Sequence, residues 1–225
     1  APIEVLILNA GLQLARPAVS ADGFERTFAV NHLAHYLLLR LLVDRLAPGA
    51  RVILTGSGTH DPAERTPVTP PVHADAMLLA DPSRDPQRET RMRQACFRAY
   101  SSSKLCNIMT ALEAAKRYPA ISVMSFDPGY VPHTGLGRDH GPVIARLISL
   151  IVPLTMKSDR TSTVERSGGF LASLATDAAY ADCHGDYWSV RGRALLRVEP
   201  SALARDTVAG ARLWDDSAQL VGLAA

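Results

Sequence analysis

Four short apolar runs, spaced far apart along the chain, constrain its fold more than any other feature. They are Glu4-Val-Leu-Ile-Leu8, Arg51-Val-Ile-Leu-Thr55, Ile121-Ser-Val-Met-Ser-Phe126 and Gly185-Asp-Tyr-Trp-Ser-Val190. A run of this length that is apolar on successive residues reads as a strand covered on both faces, as in parallel sheets flanked by helices. Helical segments separate the runs. Asp22 and Glu25 resemble a capping box opening a helix to about Leu46, with Phe24, Phe28, Leu37 and Leu41 among its apolar positions and Pro48-Gly49 ending it. Tyr100 to Tyr118 forms a second helix with Leu105, Ile108, Met109 and Leu112 on one stripe, stopped by Pro119. Further helices are expected over 161–175 and 201–220. Strand and helix alternate throughout, which predicts an α/β fold with a doubly wound parallel sheet in a single domain over 1–225.

Two segments interrupt the alternation. Residues 61–98 are rich in Pro, Asp and Arg without steady periodicity and read as an insertion. Val143 to Leu154 is apolar but broken by Arg146, Ser149 and Pro153, and it is too short to span a bilayer. The net charge of +2 offers no electrostatic attraction for nucleic acid or acidic lipid. Cys96, Cys106 and Cys183 are odd in number and lack metal-ligand spacing, so free thiols in a reducing, cytoplasmic compartment are expected; no signal-peptide pattern is visible. His32 and His35 are three apart without a third ligand, which favours a packing role over a metal site.

Ligands of a doubly wound sheet sit beyond the carboxyl ends of its strands. Asn9-Ala10-Gly11 follows the first strand, Gly56-Ser57 the second and Pro128-Gly129 the third. Tyr100 and Lys104 open the helix after the insertion, one turn apart on a shared face. An ammonium beside a phenol favours the phenolate and lowers its pKa, giving an acid–base group usable near neutrality. A hydroxyl at Ser57 can stabilise charge growing on a reacting oxygen.

Asn9-Ala-Gly11, Val30-Asn31-His32, Thr55-Gly56-Ser57, Tyr100-x-x-x-Lys104 and Pro128-Gly129, in this order, resemble the short-chain dehydrogenases/reductases. The resemblance implies a Rossmann-like sheet and hydride transfer with a nicotinamide cofactor. It implies that Tyr100 exchanges a proton with the substrate oxygen, that Lys104 lowers the Tyr100 pKa and binds the nicotinamide ribose, and that Ser57 binds the reacting oxygen. Asn31 would hold a water in the proton relay. Asn9, Ala10 and Gly11 would line the adenosine side, Val131 would meet the nicotinamide amide, and Thr134 would contact phosphate one position later than in many members.

Ser103-Lys-Leu-Cys-Asn107, Thr134-Gly-Leu136, Asp186-Tyr-Trp-Ser189 and Ser217-Ala-Gln-Leu-Val-Gly-Leu223, with Pro70-Pro71 in the insertion, are similar to light-dependent protochlorophyllide reductases. Those enzymes reduce a ring carbon–carbon double bond with NADPH and light, and they carry a cysteine where Cys106 stands. Gly11, Tyr130 and Leu112 depart from that pattern, and Asn31-His-Leu-x-His35 is equally similar to retinol dehydrogenases. The expected function is therefore carbonyl or alcohol oxidoreduction with NADPH (NAD left open), with the pigment reductase as the alternative. The resemblance makes 141–160 a substrate lid, which favours a bulky apolar small-molecule substrate; a homo-oligomer is left open as a partner.

The glycine-rich turn of a dinucleotide site is not found before Asn9. In the family three strand–helix units precede that turn, roughly 70–90 residues at about 30 per unit. The chain begins with Ala1, and two expectations follow: a fragment of an active enzyme, or an inactive truncated domain with a bare sheet edge that holds no cofactor.

Overall fold

The computed structural model describes residues 1–132, 136, 139 and 158–224. Five strands form one sheet in the order β1-β2-β3-β4-β5. They are β1 (Ile3–Leu8), β2 (Leu46–Thr55), β3 (Ser122–Asp127), β4 (Asp186–Arg191) and β5 (Ala194–Arg197). The first four run parallel, with Leu8 opposite Leu54, Thr55 opposite Phe126 and Asp127 opposite Ser189. The fifth is antiparallel to β4 across a turn in which Gly192 takes φ +61°.

The α-helical segments among the described residues are α1 (Arg26–Phe28), α2 (Ala34–Leu42), α3 (Ala76–Ala80), α4 (Met92–Arg117), α5 (Val164–Thr176) and α6 (Thr207–Leu220). Alternate residues of the central strands feed two layers, as the strand period of two requires. Val52, Leu54 and Val123 pack with Tyr36, Leu39, Ala111, Ala114 and Trp214 of α2, α4 and α6. Ile53, Met124, Phe126 and Val190 pack with Leu174 and Ala175 of α5 on the other face. Each fully buried Leu, Ile or Phe contributes about 1.5–3 kcal/mol relative to exposure. No described helix is long and apolar enough to cross a membrane.

Helix α4 is buried on every side from Tyr100 to Ala111. Its small residues Ser101, Ser102, Ser103 and Ala111 let it lie close to the sheet, and Gly56 shows how close. A Cβ there would stand 2.8 Å from Ile108 Cγ1 and 3.0 Å from Ser125 Oγ. Gly56→Ala should therefore cost about 1–3 kcal/mol through overpacking. A urea denaturation midpoint unchanged in that variant would contradict the close helix–strand contact.

Several boundaries differ from the sequence expectation. The first helix starts at Arg26 because Glu25, not Asp22, is its cap, accepting from Phe28 N at 2.7 Å. It gives way to β2 at Leu46, since Leu46 and Ala47 pack on the core and the chain extends early. Pro48 and Gly49 (φ +76°) thus lie in an irregular start of β2, where the register with β1 shifts between Ile3 and Val5. Helix α4 begins two turns before Tyr100, at Met92. Part of the 61–98 segment is ordered: α3, short helical turns at Pro62–Glu64 and Pro82–Arg84, and a His73–Asp85 pair at 3.1 Å. The lid expected over 141–160 lies outside the described residues except for 158–160, as does Thr134.

Candidate active site

The sequence-predicted residues that are described gather at the carboxyl ends of β1, β2 and β3, around the first turns of α4's buried segment. Asn9 accepts from the Thr55 hydroxyl at 2.8 Å, tying the ends of β1 and β2 together. Asn31 sits in a π-helical turn, Ala29–Leu33, that interrupts the helix between α1 and α2. Such turns widen a helix and displace side chains, and they recur at functional sites. Its side-chain oxygen accepts from Leu12 N at 2.8 Å, and its amide donates to Leu12 O at 2.9 Å and Ser103 Oγ at 3.1 Å. Asn31 thereby fixes the Ala10-Gly11 loop against α4.

Gly11 leaves a cradle between two of these groups. A Cβ on it would lie 3.5 Å from Asn31 Oδ1 and 3.6 Å from Lys104 Nζ. Lys104 is buried, donates to Thr55 O at 3.1 Å, and lies 5.8 Å from the centre of the Tyr100 ring. Burial lowers its pKa to about 8, with the Asp127 carboxylate pulling the other way. The Ser57 side chain acts on the Tyr100 phenol and favours its ionised form. Its pKa nonetheless stands above the ordinary phenol value, because burial outweighs the Ser57 contribution and Asp127 adds to the rise. This reverses the direction expected from the i, i+4 ammonium alone: Lys104 turns toward Thr55 O and lies over the ring.

Asp127 was not among the expected site residues. It is buried, with its oxygens taken by Gly129 N at 3.0 Å and Ser189 Oγ at 2.8 Å. Its position directly before Pro128-Gly129 was the available signal. Gly129 adopts φ +72°, and a Cβ on it would come 3.0 Å from Arg160 O. Pro128 O accepts from Ser167 Oγ at 2.8 Å, and Tyr130 exchanges backbone bonds with Arg160 and Ser162, leaving Val131 half-buried at the end of this turn.

A second buried layer lies behind these groups. Asn107 donates to Asn31 O at 2.9 Å and to Thr55 O at 3.1 Å, so it shares an acceptor with Lys104. His32 Nδ1 then donates to Asn107 Oδ1 at 3.4 Å, and His32 Nε2 accepts from the Ser217 hydroxyl at 3.0 Å. His32 is therefore part of a hydrogen-bonded core, and the buried His35 reaches it through Nδ1, 3.5 Å from Asn107 Nδ2. Burial lowers their pKa values to about 3 and about 4. Above the ordinary value of 6.5 both folded and unfolded chains hold them neutral; below it the unfolded chain takes up protons first. Their contribution to stability is complete above about pH 6.5 and is lost as the pH falls toward 4, on the order of a few kcal/mol. Urea midpoints that stay constant from pH 7 to 5 would contradict this.

The chain is 33% identical over 239 residues to a chloroplastic protochlorophyllide reductase of Daucus carota, covering 99% of this chain and 59% of that protein. It is 35% identical over 221 residues to a protein named as a candidate daunorubicin C-13 ketoreductase of Streptomyces, covering 98% and 66%. It spans about three fifths of the length of the first curated relatives it matches. No protein-family model matches it. Among solved structures, an uncharacterised protein from Mycobacterium paratuberculosis superposes with a TM-score of 0.65 at 26% identity, over 99% of this chain and 68% of that one. An angucycline C-6 ketoreductase with bound NADP shares the fold at a TM-score of 0.54 and 20% identity, over 85% and 62%. With its parallel sheet and with Asn31, Ser57, Tyr100 and Lys104 gathered at one rim, the chain belongs to the short-chain dehydrogenase/reductase family.

Proposed function

We propose that this chain carries the proton-transfer site of an NADPH-dependent oxidoreductase that interconverts a carbonyl and an alcohol on an apolar small-molecule substrate. One observation carries the reading: Tyr100 is buried at the rim where the Ser57 side chain acts on its phenol, with the Lys104 ammonium 5.8 Å from the centre of its ring. Tyr100 and Lys104 would hold the nicotinamide ribose of the cofactor, and the bare Gly11 backbone leaves space beside Asn31 and Lys104. Asn9, Ala10 and Gly11 would line its adenosine side, and Pro128, Gly129, Val131 and Thr134 would border its nicotinamide and phosphate. When bound, the cofactor supplies or accepts the hydride.

The chain's own residues manage the proton. Ser57 and Tyr100 present two hydroxyls to one substrate oxygen, so charge growing there meets donors already in place. Tyr100 gives its proton to that oxygen, and Lys104 stabilises the phenolate left behind. Asn31, anchored on both sides by Leu12 and Ser103, keeps the loop and α4 at fixed separation and would hold a relay water. The apolar character of Val143 to Leu154 supports a lid over 141–160 and an apolar substrate. The free thiols support a reducing, cytoplasmic setting, and a single catalytic domain with 61–98 as an insertion is the matching organisation.

The curated relatives favour a second reading, a light-dependent protochlorophyllide reductase-like activity. Cys106 weakens it: the thiol is fully buried among Leu105, Ile108 and Met109, and burial pushes its pKa up and keeps it protonated. NADPH oxidation followed with a panel of ketones in the dark, and with protochlorophyllide under illumination, tests the choice. Turnover of ketones in the dark is expected. Turnover confined to the illuminated pigment would overturn the carbonyl assignment, and no NADPH oxidation with either would leave the inactive domain.

A further inference from the structure

Ser57 needs more than its own strand to hold it. It lies just past β2 and caps a single helical turn, Gly58–His60, its Oγ accepting from Thr59 N at 3.3 Å. Its carbonyl takes two donors from one residue: the His60 amide at 3.2 Å and the His60 ring Nδ1 at 2.7 Å. The other ring nitrogen, Nε2, faces the backbone amide of Ser201, 141 residues further along the chain, at 3.0 Å. A carbonyl can only accept and an amide can only donate, so the ring must carry its proton on Nδ1 and present a bare Nε2. The ring is buried and packs edge-on against Tyr187 at 5.3 Å between centroids, with Asp61, Glu64 and Asp127 as the carboxylates around it.

We propose that His60 is a positioning residue, holding Ser57 against Tyr100 by bridging the Ser57 carbonyl to the Ser201 amide. The inference rests on the roles assigned to Ser57 and Tyr100 in the proposed function. The bridge makes the segment between β5 and α6 part of the active-site frame. The Ser201 hydroxyl in turn accepts from Ala204 N at 3.3 Å, so the frame continues toward the start of α6.

Two measurements on the full chain test the proposal. Long-range ¹⁵N–¹H spectra of the imidazoles at pH 7.5 read the tautomer without any turnover. His60 should show a protonated Nδ1 and a bare Nε2; the opposite tautomer, or two tautomers in exchange, overturns the bridge. In turnover with a ketone and NADPH, His60→Phe should lower kcat by about 10- to 100-fold through misplacement of Ser57, with the KM for NADPH little changed. His60→Asn, whose amide can reach the Ser57 carbonyl, should recover most of that loss. In a Ser57→Ala background, His60→Phe should cost little more, because the two act as one unit. Equal losses in both backgrounds would make His60 merely structural and refute the proposal. A wild-type chain that reduces no carbonyl refutes the proposed function instead, and the tautomer then decides the bridge by itself.

Discussion

Tyr100→Phe should reduce carbonyl turnover by about 10²- to 10⁴-fold, the range supplied by a positioned acid–base group. The substitution removes one oxygen and leaves the ring, so the packing of α4 against the sheet and the position of Lys104 over that ring are retained. Affinity for NADPH should change little. The pH dependence follows from the neighbouring group. Lys104, with its pKa lowered to about 8, is cationic below that value and loses its charge above it. Turnover that relies on the ammonium should therefore fall as the pH rises through about 8. Because burial raises the Tyr100 pKa, the phenol is held protonated, which suits the proposed reduction, where it would give a proton up. Residual turnover in Tyr100→Phe within tenfold of wild type would move the proton donor elsewhere.

Trp214→Ala should be the most damaging core substitution, costing about 3–5 kcal/mol. The indole of α6 is almost entirely buried and joins α2 to α4. It meets Tyr36 edge-on at 4.9 Å, Tyr118 at 6.0 Å, and the guanidinium groups of Arg40 and Arg117 at 5.3 Å and 5.0 Å. Removing it leaves a cavity and takes an aromatic face from two cations at once. Arg40 would keep its hydrogen bonds to the Tyr36 hydroxyl and to Ala224 O, so part of the cluster would persist. Against the roughly 5–15 kcal/mol of a typical domain, the loss is a large fraction. Chemical denaturation followed by far-ultraviolet circular dichroism measures it. Trp214→Phe, which keeps a ring between the two arginines, should cost less. A change under about 1 kcal/mol in the alanine variant would contradict the cluster's role in holding α6 on the domain.

Features set by neighbours along the chain were legible in the sequence. Continuous apolar runs mark β1 to β4, and the i, i+4 spacing puts Tyr100 and Lys104 on one helix face. The strand β5 was not legible: Ala194-Leu-Leu-Arg197 is four residues long, and its antiparallel pairing depends on the Gly192 turn after β4. The start of α4 was hidden because Met92 to Ala99 carries Arg93, Gln94 and Arg98 without an apolar stripe. What determines the Tyr100 pKa was also out of reach, since burial by distant segments dominates it and Asp127 adds to the rise. The same holds for His60, whose decisive partner is Ser201, and for Asn107, whose bonds to Asn31 O and Thr55 O join three elements. A polar residue on the inner stripe of α4 was the one available sign of that role.

Isotope transfer reads out hydride delivery to a carbonyl and its dependence on Tyr100 together. NADPH carrying deuterium on the transferred position of its nicotinamide is incubated in the dark with the full chain and an apolar ketone, and the alcohol is weighed by mass spectrometry. One deuterium is expected on the former carbonyl carbon with the wild-type chain, and almost no labelled alcohol with Tyr100→Phe. Labelled alcohol formed equally well by both chains, or none formed by the wild type, would contradict it.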